Sequence, residues 1–425
     1  MNNYTGGIMK KVVLGYSGGL DTSILITLIK EKYHAEVITL TVDIGQHEDV
    51  EVVKQKALYS GACEAYVIDA RDEFCEEYVL PTLKANAVYE NAYPLATALA
   101  RPLIAKYLVA FAQKCNADCV AHGCTGKGND QVRLESAITL LDPSIPIWAP
   151  IRDYSLSRDY EIAYAAQHNI PVSEKMNIYS IDENLWGRSI ECGVLEDENC
   201  EPPDSVFQWT TSPKNAPDDS SLIEIAFVGG KPVALNNEPM ELRQLITLLN
   251  REGGKYGIGR IDHIESRLVG IKSREVYEAP AATILIRAHQ DLEKLVLPKD
   301  VLHFKPIIEL TFAELVYNGL WFSPLRHALS SFIEETQKHV TGHVRVTLYK
   351  GSAQIIGRSS KNSLYVKNLA TYEGSGEFDS SAAKGFINIW ALPYRVYSTV
   401  HRSKNAKDTA NKEKQYACDM AKKVY

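Results

Sequence analysis

The sequence predicts an α/β chain: an N-terminal doubly wound parallel sheet, then a second domain of α+β type, then a helical C-terminal tail. Three observations predict it. Short apolar runs alternate with helical stretches from Lys10 to about Gln167. After about Ser173 that alternation gives way to turn-rich connections and hairpin patterns. The segment Tyr16-Ser17-Gly18-Gly19-Leu20-Asp21-Thr22-Ser23 stands between a predicted strand and a predicted helix, where a ligand-binding βα turn belongs.

In chain order, Lys11-Val12-Val13-Leu14-Gly15 reads as a buried strand. Positions 21–32 form a helix with Ile24, Leu25, Leu28 and Ile29 on one face. A second apolar run spans 37–42. Positions 49–59 are helical, with Gly61 as the stop signal. A third strand covers 65–68, a long helix 97–115 despite Pro102, a fourth strand 118–121 and a further helix 130–141. Strands alternating with helices imply a parallel sheet covered on both faces, with ligands at the carboxyl ends of the strands.

Beyond Ser173, positions 201–203 and 212–219 are turn-rich, and 222–235 reads as a hairpin around Gly229-Gly230. Helices are expected at 240–250 and 281–295, and a single longer helical region at 312–338. Antiparallel strands are expected at 343–356 and 364–366. The tail from Ser403 is charged and helix-compatible, too polar to be a core element alone, and is expected to pack on another subunit. The divisions expected are 1–172, 173–402 and 403–425.

A chain of 425 residues is too long for one typical core, and its 45% apolar and 23% charged residues are ordinary for a globular protein. A net charge of −7 argues against a nucleic-acid partner. No stretch has the apolar length needed to cross a bilayer, and the N-terminus lacks the apolar core of a signal peptide, so a cytoplasmic location is expected. The eight cysteines form no paired knuckles. They read as buried free thiols, with no metal site.

The glycine-rich turn has its own chemistry. Gly18 and Gly19 allow a tight turn and a close backbone approach. The first amides of the following helix have no intrahelical partner and, with the helix dipole, make an anion site. Ser17, Thr22 and Ser23 add hydroxyls. Asp21 repels a bare phosphate, so a metal bridge or a capping role must explain it. No GxxxxGK[ST] is present. The bland alternative is a plain βα turn capped by Asp21 or Thr22.

Ser17-Gly18-Gly19-Leu20-Asp21-Thr22-Ser23 resembles the SGGxDxS loop of the N-type ATP pyrophosphatases, which includes GMP synthetase, asparagine synthetase, tRNA thiolation enzymes and the argininosuccinate synthases. Four further segments resemble the last of these. They are Asp43-Ile44-Gly45-Gln46; the stretch from Ala121-His122-Gly123 through Gly126-Lys127-Gly128-Asn129-Asp130-Gln131-Val132-Arg133; Asp182-Glu183-Asn184-Leu185-Trp186-Gly187-Arg188 with its flanks; and Arg260-Ile261-Asp262 through Tyr277-Glu278-Ala279-Pro280. The resemblance runs from about Lys11 to Leu392. It implies an adenine-nucleotide α-hydrolase-like, Rossmann-like first domain and a catalytic and multimerisation second domain. It also implies a homotetramer without nucleic-acid or membrane partners.

The implied reaction joins L-citrulline to L-aspartate through citrullyl-AMP, using ATP as its magnesium salt with no protein metal ligand assigned. By resemblance, Gly15, Tyr16, Ser17, Gly18, Gly19, Leu20, Asp21, Thr22, Ser23, Val42 and Gly123 hold ATP. Thr125, Asn129 and Asp130 hold aspartate. Tyr93, Thr97, Asn129, Arg133, Ser180, Ser189, Glu265 and Tyr277 hold citrulline. Asp21, Arg101 and Asp130 are the candidate catalytic groups. An arginine suits an α-carboxylate and a glutamate an α-ammonium. Each of these residues taken alone reads as structural: tyrosines in a core, serines in turns, Asn129 as a helix cap.

One position departs from the pattern: Ala98 stands where the family has serine. A lost neutral hydrogen bond costs about 1 kcal/mol, and Thr97 is the neighbour that substitutes after a small rotation. Two other readings remain at this level. A tRNA thiolation enzyme would need a basic face and a cysteine pair at the site. A non-catalytic nucleotide sensor would keep only the ATP loop.

Overall fold

A computed structural model describes residues 11–47, 49–171, 178–372 and 377–402. By compactness the chain forms one unit over Met1–Leu364 and a second over Tyr365–Tyr425.

The first unit begins with a parallel sheet. Its strands are β1 (Lys11–Gly15), β2 (Glu36–Asp43), β3 (Glu64–Asp69), β4 (Cys119–Ala121) and β5 (Ile147–Trp148), in the order β3-β2-β1-β4-β5. All of its pairs are parallel. The burial of β1 explains its apolar run: Val13 joins one core cluster while Val12 and Leu14 join another. A strand buried on both faces has no polar side to alternate. Helix Leu20–Tyr33 packs in the second cluster through Ile24, Leu25, Leu28 and Ile29. Helix Ala96–Cys115 lies in the first, through Leu99, Leu103, Leu108 and Val109. Strand order reverses between β1 and β4, so the chain leaves their carboxyl ends toward opposite sides of the sheet and a crevice opens there.

Nine antiparallel strands follow: β6 (Ser180–Asn184), β7 (Gly187–Glu191), β8 (Ser221–Val228), β9 (Lys231–Leu235), β10 (Glu238–Pro239), β11 (Arg260–Ser266), β12 (Lys272–Glu278), β13 (Gly342–Tyr349) and β14 (Ser352–Ser359). They form two sheets, β10-β9-β8-β13-β14 and β11-β12-β7-β6. In β13 alternate residues Val344, Val346 and Leu348 have no exposed surface, which is the pattern of a strand with one face on a core. Helices Leu242–Lys255 and Pro280–Val296 share the large cluster with that face.

Three expectations need correction. Of the cysteines among the described residues, only Cys75 and Cys119 are buried; Cys63 is exposed and Cys115, Cys124, Cys192 and Cys200 are half-buried free thiols. The helical region at 312–338 is two helices, Lys299–Tyr317 and Pro324–Gln337. The first ends in a Schellman cap: Gly319 has φ +73°, its N–H donates to Val316 O at 3.1 Å, and Leu320 N–H donates to Leu315 O at 2.8 Å. Ser323 then caps a new helix that starts on Pro324. Positions 364–366 form no strand. Leu364, Tyr365 and Val366 are half exposed and lead into the short helix Lys367–Ala370.

In the second unit, helix Ser380–Trp390 leaves Phe386, Ile387, Ile389 and Trp390 exposed. The tail expected from Ser403 lies outside the described residues. No helix among the described residues is long and apolar enough to cross a membrane.

Candidate active site

The glycine-rich turn leaves β1 as a tight loop. Tyr16 N–H donates to Leu40 O at 2.9 Å, and Thr41 Oγ1 donates to Tyr16 O at 2.9 Å, so the loop's start is clamped to β2. Gly18 has φ +79°, and a Cβ there would stand 3.2 Å from Val53 Cγ2. The Lys56 ammonium donates to Gly18 O. Gly19 is the N-cap of helix Leu20–Tyr33, and no side chain caps that end. Neither Asp21 nor Thr22 therefore takes the capping role. The amides of the first turn are left without a side-chain cap, the arrangement an anion site requires. Thr22 Oγ1 lies 3.3 Å from Ser17 Oγ, and Ser23 Oγ donates to Gly19 O at 2.7 Å. Gly123, just past β4, lies against this turn, its Cβ position 3.1 Å from Thr22 Cγ2. Val42 is a buried residue near the end of β2.

Asp21 is engaged by its surroundings. Arg158 Nη1 donates to its Oδ1 at 3.0 Å. The buried Glu161 carboxyl hydrogen-bonds it, and burial, together with the Asp21 charge, pushes the Glu161 pKa up to about 8.

A polar cleft lies on one face of the β11-β12-β7-β6 sheet. Register places Glu265 opposite Ser273, Tyr277 opposite Ser189, and Ser189 opposite Asp182. Glu191 and Glu275 follow on the same face, because side chains two apart share a side. The cleft is lined by these strands and by Tyr93, Thr97, Asn129, Asp130 and Arg133 from the first sheet's connections. Tyr93 stacks on Tyr277 at 4.3 Å, its hydroxyl accepts the Thr97 N–H at 2.8 Å, and Thr97 Oγ1 lies 3.2 Å from Ser189 Oγ.

Charge in the cleft is ordered by three guanidiniums. Arg101 Nη2 donates to Asp130 at 2.6 Å and to Asp182 at 2.8 Å; Arg133 Nη1 donates to Asp130 at 3.1 Å. Burial pushes Asp130 up, but the two arginines outweigh it and hold its carboxyl down at about 2. Arg267 binds both Glu191 and Glu275, the latter at 2.6 Å, and its Nε donates to Ser273. Burial and the facing Glu191 charge still push Glu275 up to about 8. Two side-chain nitrogens are buried without a hydrogen-bond partner here, Arg133 Nη2 and Arg101 Nε. A buried guanidinium nitrogen left unpaired beside a polar cleft is suited to an arriving carboxylate. No group of three or more His, Cys, Asp or Glu suited to a metal ion occurs among the described residues.

The family descriptions that match are the Arginosuccinate synthase N-terminal HUP domain over residues 11–171 and the Arginosuccinate synthase C-terminal domain over 179–397. The argininosuccinate synthase of Brevibacillus brevis is 55% identical over 93% of this chain and 96% of its own length.

The chain belongs to the argininosuccinate synthase family.

The relatives are spread widely. The argininosuccinate synthase of Pyrococcus furiosus is 56% identical over 93% of this chain and 97% of its own, and that of Oceanobacillus iheyensis 55% over 92% and 94%. Among the residues that the synthase resemblance picked out, the fold brings Tyr93, Thr97, Asn129, Asp130, Arg133, Ser189, Glu265 and Tyr277 into one cleft. Thr97 lines it, while Ala98 is fully buried and offers only its N–H toward Tyr93, at 3.3 Å. Thr125 lies exposed on the glycine-rich loop and Ser180 exposed at the start of β6, outside the cleft lining. Arg101 sits behind Asp130, bonded to it. Sequence reading missed Asp182, Glu191, Arg267, Glu275 and Tyr317. The first four lie inside or beside the quoted family segments, and strand alternation with Ser189 and Tyr277 would have found Glu191 and Glu275. Tyr317 carried no signal, since a tyrosine ending an apolar helix reads as core.

Proposed function

We propose that this synthase-family chain condenses L-citrulline with L-aspartate in an ATP-dependent ligation that releases AMP and pyrophosphate. The observation that carries the reading is the pairing of Arg133, with its unpartnered buried Nη2, and Glu265 in one polar cleft. A guanidinium and a carboxylate so placed match the two charged ends of an α-amino acid.

ATP lies on the turn Tyr16 to Ser23, its phosphates at the uncapped helix end, with Val42 and Gly123 flanking the nucleotide. It enters as the magnesium salt, the metal held chiefly by phosphate oxygens. The ureido oxygen of citrulline attacks the α-phosphorus, the bond to the bridging oxygen breaks, and pyrophosphate leaves. The oxygen thereby becomes part of a phosphate ester. The aspartate amine then attacks the ureido carbon, and AMP leaves with that oxygen. Two feasible displacements replace one with a poor leaving group.

The protein's share is position and charge. Arg133 and Glu265 grip the citrulline backbone, with Tyr93, Thr97, Ser189 and Tyr277 around it and Ser180 beyond the lining at the start of β6. Thr125, Asn129 and Asp130 hold aspartate. Asp130, kept ionised by Arg101 and Arg133, holds the aspartate ammonium, whose proton passes to solvent before the amine attacks. Arg101 maintains Asp130 in that state, and Asp21 steadies the phosphate side. The reading extends to a cytoplasmic homotetramer with a nucleotide-binding domain over 1–172, a catalytic and multimerisation domain over 173–402 and an oligomerisation tail over 403–425.

The test is product formation with ATP, citrulline and aspartate, each omitted in turn. Pyrophosphate release that needs citrulline, with AMP and argininosuccinate forming only once aspartate is added, supports the reading. No argininosuccinate under any combination overturns it.

A further inference from the structure

Tyr317 ends the helix Lys299–Tyr317 and has no exposed surface. It does not line the cleft, yet three residues that do converge on it. Asn129 Nδ2 donates to its hydroxyl oxygen at 2.8 Å, and that hydroxyl donates to Glu265 Oε1 at 2.6 Å. Arg133 Nε donates to its carbonyl at 2.8 Å, and the Arg133 guanidinium lies over its ring, 4.6 Å from the centroid.

The direction of this chain of bonds is fixed. Asn129 Oδ1 accepts the Leu268 N–H at 2.9 Å, so the amide nitrogen must be the end that meets Tyr317. An amide nitrogen only donates, which leaves the single phenolic proton for Glu265. The other carboxylate oxygen, Oε2, accepts the Tyr277 hydroxyl at 2.5 Å. Each Glu265 oxygen thus holds one phenol and keeps lone pairs for a further donor. The ring itself stacks on Tyr89 at 3.5 Å and 7°, and the Schellman cap holds the helix end behind it.

We propose that Tyr317 is a positioning residue for citrulline recognition, fixing the ammonium partner Glu265 and the carboxylate partner Arg133 at one spacing. This rests on the functional reading above. Tyr317 touches no substrate; it acts through the two charged groups that do. Its ring and carbonyl hold the arginine, and its hydroxyl sets the carboxylate and joins it to Asn129.

The test is Tyr317→Phe, which keeps the ring, the stack and the carbonyl and removes only the hydroxyl. The readouts are kcat and KM for each substrate, and the preference for citrulline over 5-ureidopentanoate, which lacks the α-ammonium. The expected result is a KM for citrulline raised roughly tenfold, with the KM for ATP within about twofold and the preference falling by a similar factor. In a Glu265→Gln background the same substitution should add less than about twofold, because the two residues act as one unit. An unchanged preference, or equal losses in both backgrounds, overturns the proposal. Wild-type enzyme runs alongside: if it forms no argininosuccinate, the functional reading falls and the proposal with it. If it does form product and the Phe variant keeps its preference, only the role of Tyr317 is lost.

Discussion

Gly319 stands with its backbone against that of Arg133: a Cβ on Gly319 would come within 2.5 Å of the Arg133 Cα. The helix that delivers Tyr317 therefore turns away at the point where it touches the helix that delivers Arg133. Gly319→Ala meets two penalties, a left-handed backbone at φ +73° and a backbone clash. It should lower the unfolding free energy by about 2 kcal/mol or more. Urea titration measures that loss. Citrulline KM, measured on the fraction that stays folded, should rise as well, because relief of the clash moves Arg133.

Arg133 is buried and pairs with Asp130, Tyr317 and, on the functional reading, a substrate carboxylate. Arg133→Lys keeps the charge but not the planar fork. A loss of about 1.5–3 kcal/mol corresponds to a citrulline KM raised roughly ten- to hundredfold. Steady-state kinetics should show the ATP KM nearly unchanged. An equal rise for ATP would mean that Arg133 does not serve the amino-acid cleft.

Gly18 holds the turn with a positive φ, and on the functional reading the amides of that turn cradle the phosphates. Gly18→Ala also presses its methyl on Val53 Cγ2 at 3.2 Å. Calorimetric titration with ATP alone should show affinity weakened by about 1–3 kcal/mol. Native thermal stability should fall less than in the Gly319 variant, since Val53 can shift and the Arg133 backbone cannot.

Glu161 has a pH signature. Burial and Asp21 raise its carboxyl to about 8 in the folded chain, from the 4.5 of a free glutamate. Between these values the folded state holds a proton that the unfolded state has released, so stability falls as pH rises through the window. Below it the contribution is fully present; above about 8 the loss is complete. Glu275 acts in the same window and with the same sign. Glu161→Gln should therefore flatten, without abolishing, the decline in Tm between pH 5 and pH 8.5, values chosen to bracket roughly that window. Differential scanning calorimetry at those two values decides it: a slope identical to wild type would show that Glu161 is ionised throughout.

The strands that sequence reading recovered are those whose apolar residues face a core. β1, β2, β8 and β13 announce themselves through runs such as Val12-Val13-Leu14 or the alternation Val344, Val346, Leu348. The sheet that floors the cleft did not. β6, β7, β11 and β12 are written with Asp182, Ser189, Glu191, Glu265 and Glu275, polar residues that line the cleft and erase the apolar period of a half-buried strand. β5 has two residues and is too short for any period. The break after Tyr317 was legible in Gly319 and Pro324, but the apolar residues on either side joined two helices into one. The turn after β1 was readable from its glycines and their place between strand and helix. The members of the polar cleft were picked out only through resemblance, because they come from four stretches of chain that nothing local connects.

That scatter has a consequence for the growing chain. Gly123 and Tyr317 are 194 residues apart (317 − 123). At synthesis rates of roughly 5–20 residues per second, the nucleotide-facing loops leave the ribosome about 10–40 s before the residue that braces Glu265 and Arg133. The two halves of the site are thus separated in time as well as in sequence. The glycine-rich turn and Gly123 are in place along the chain long before the residue that braces the polar cleft has been made.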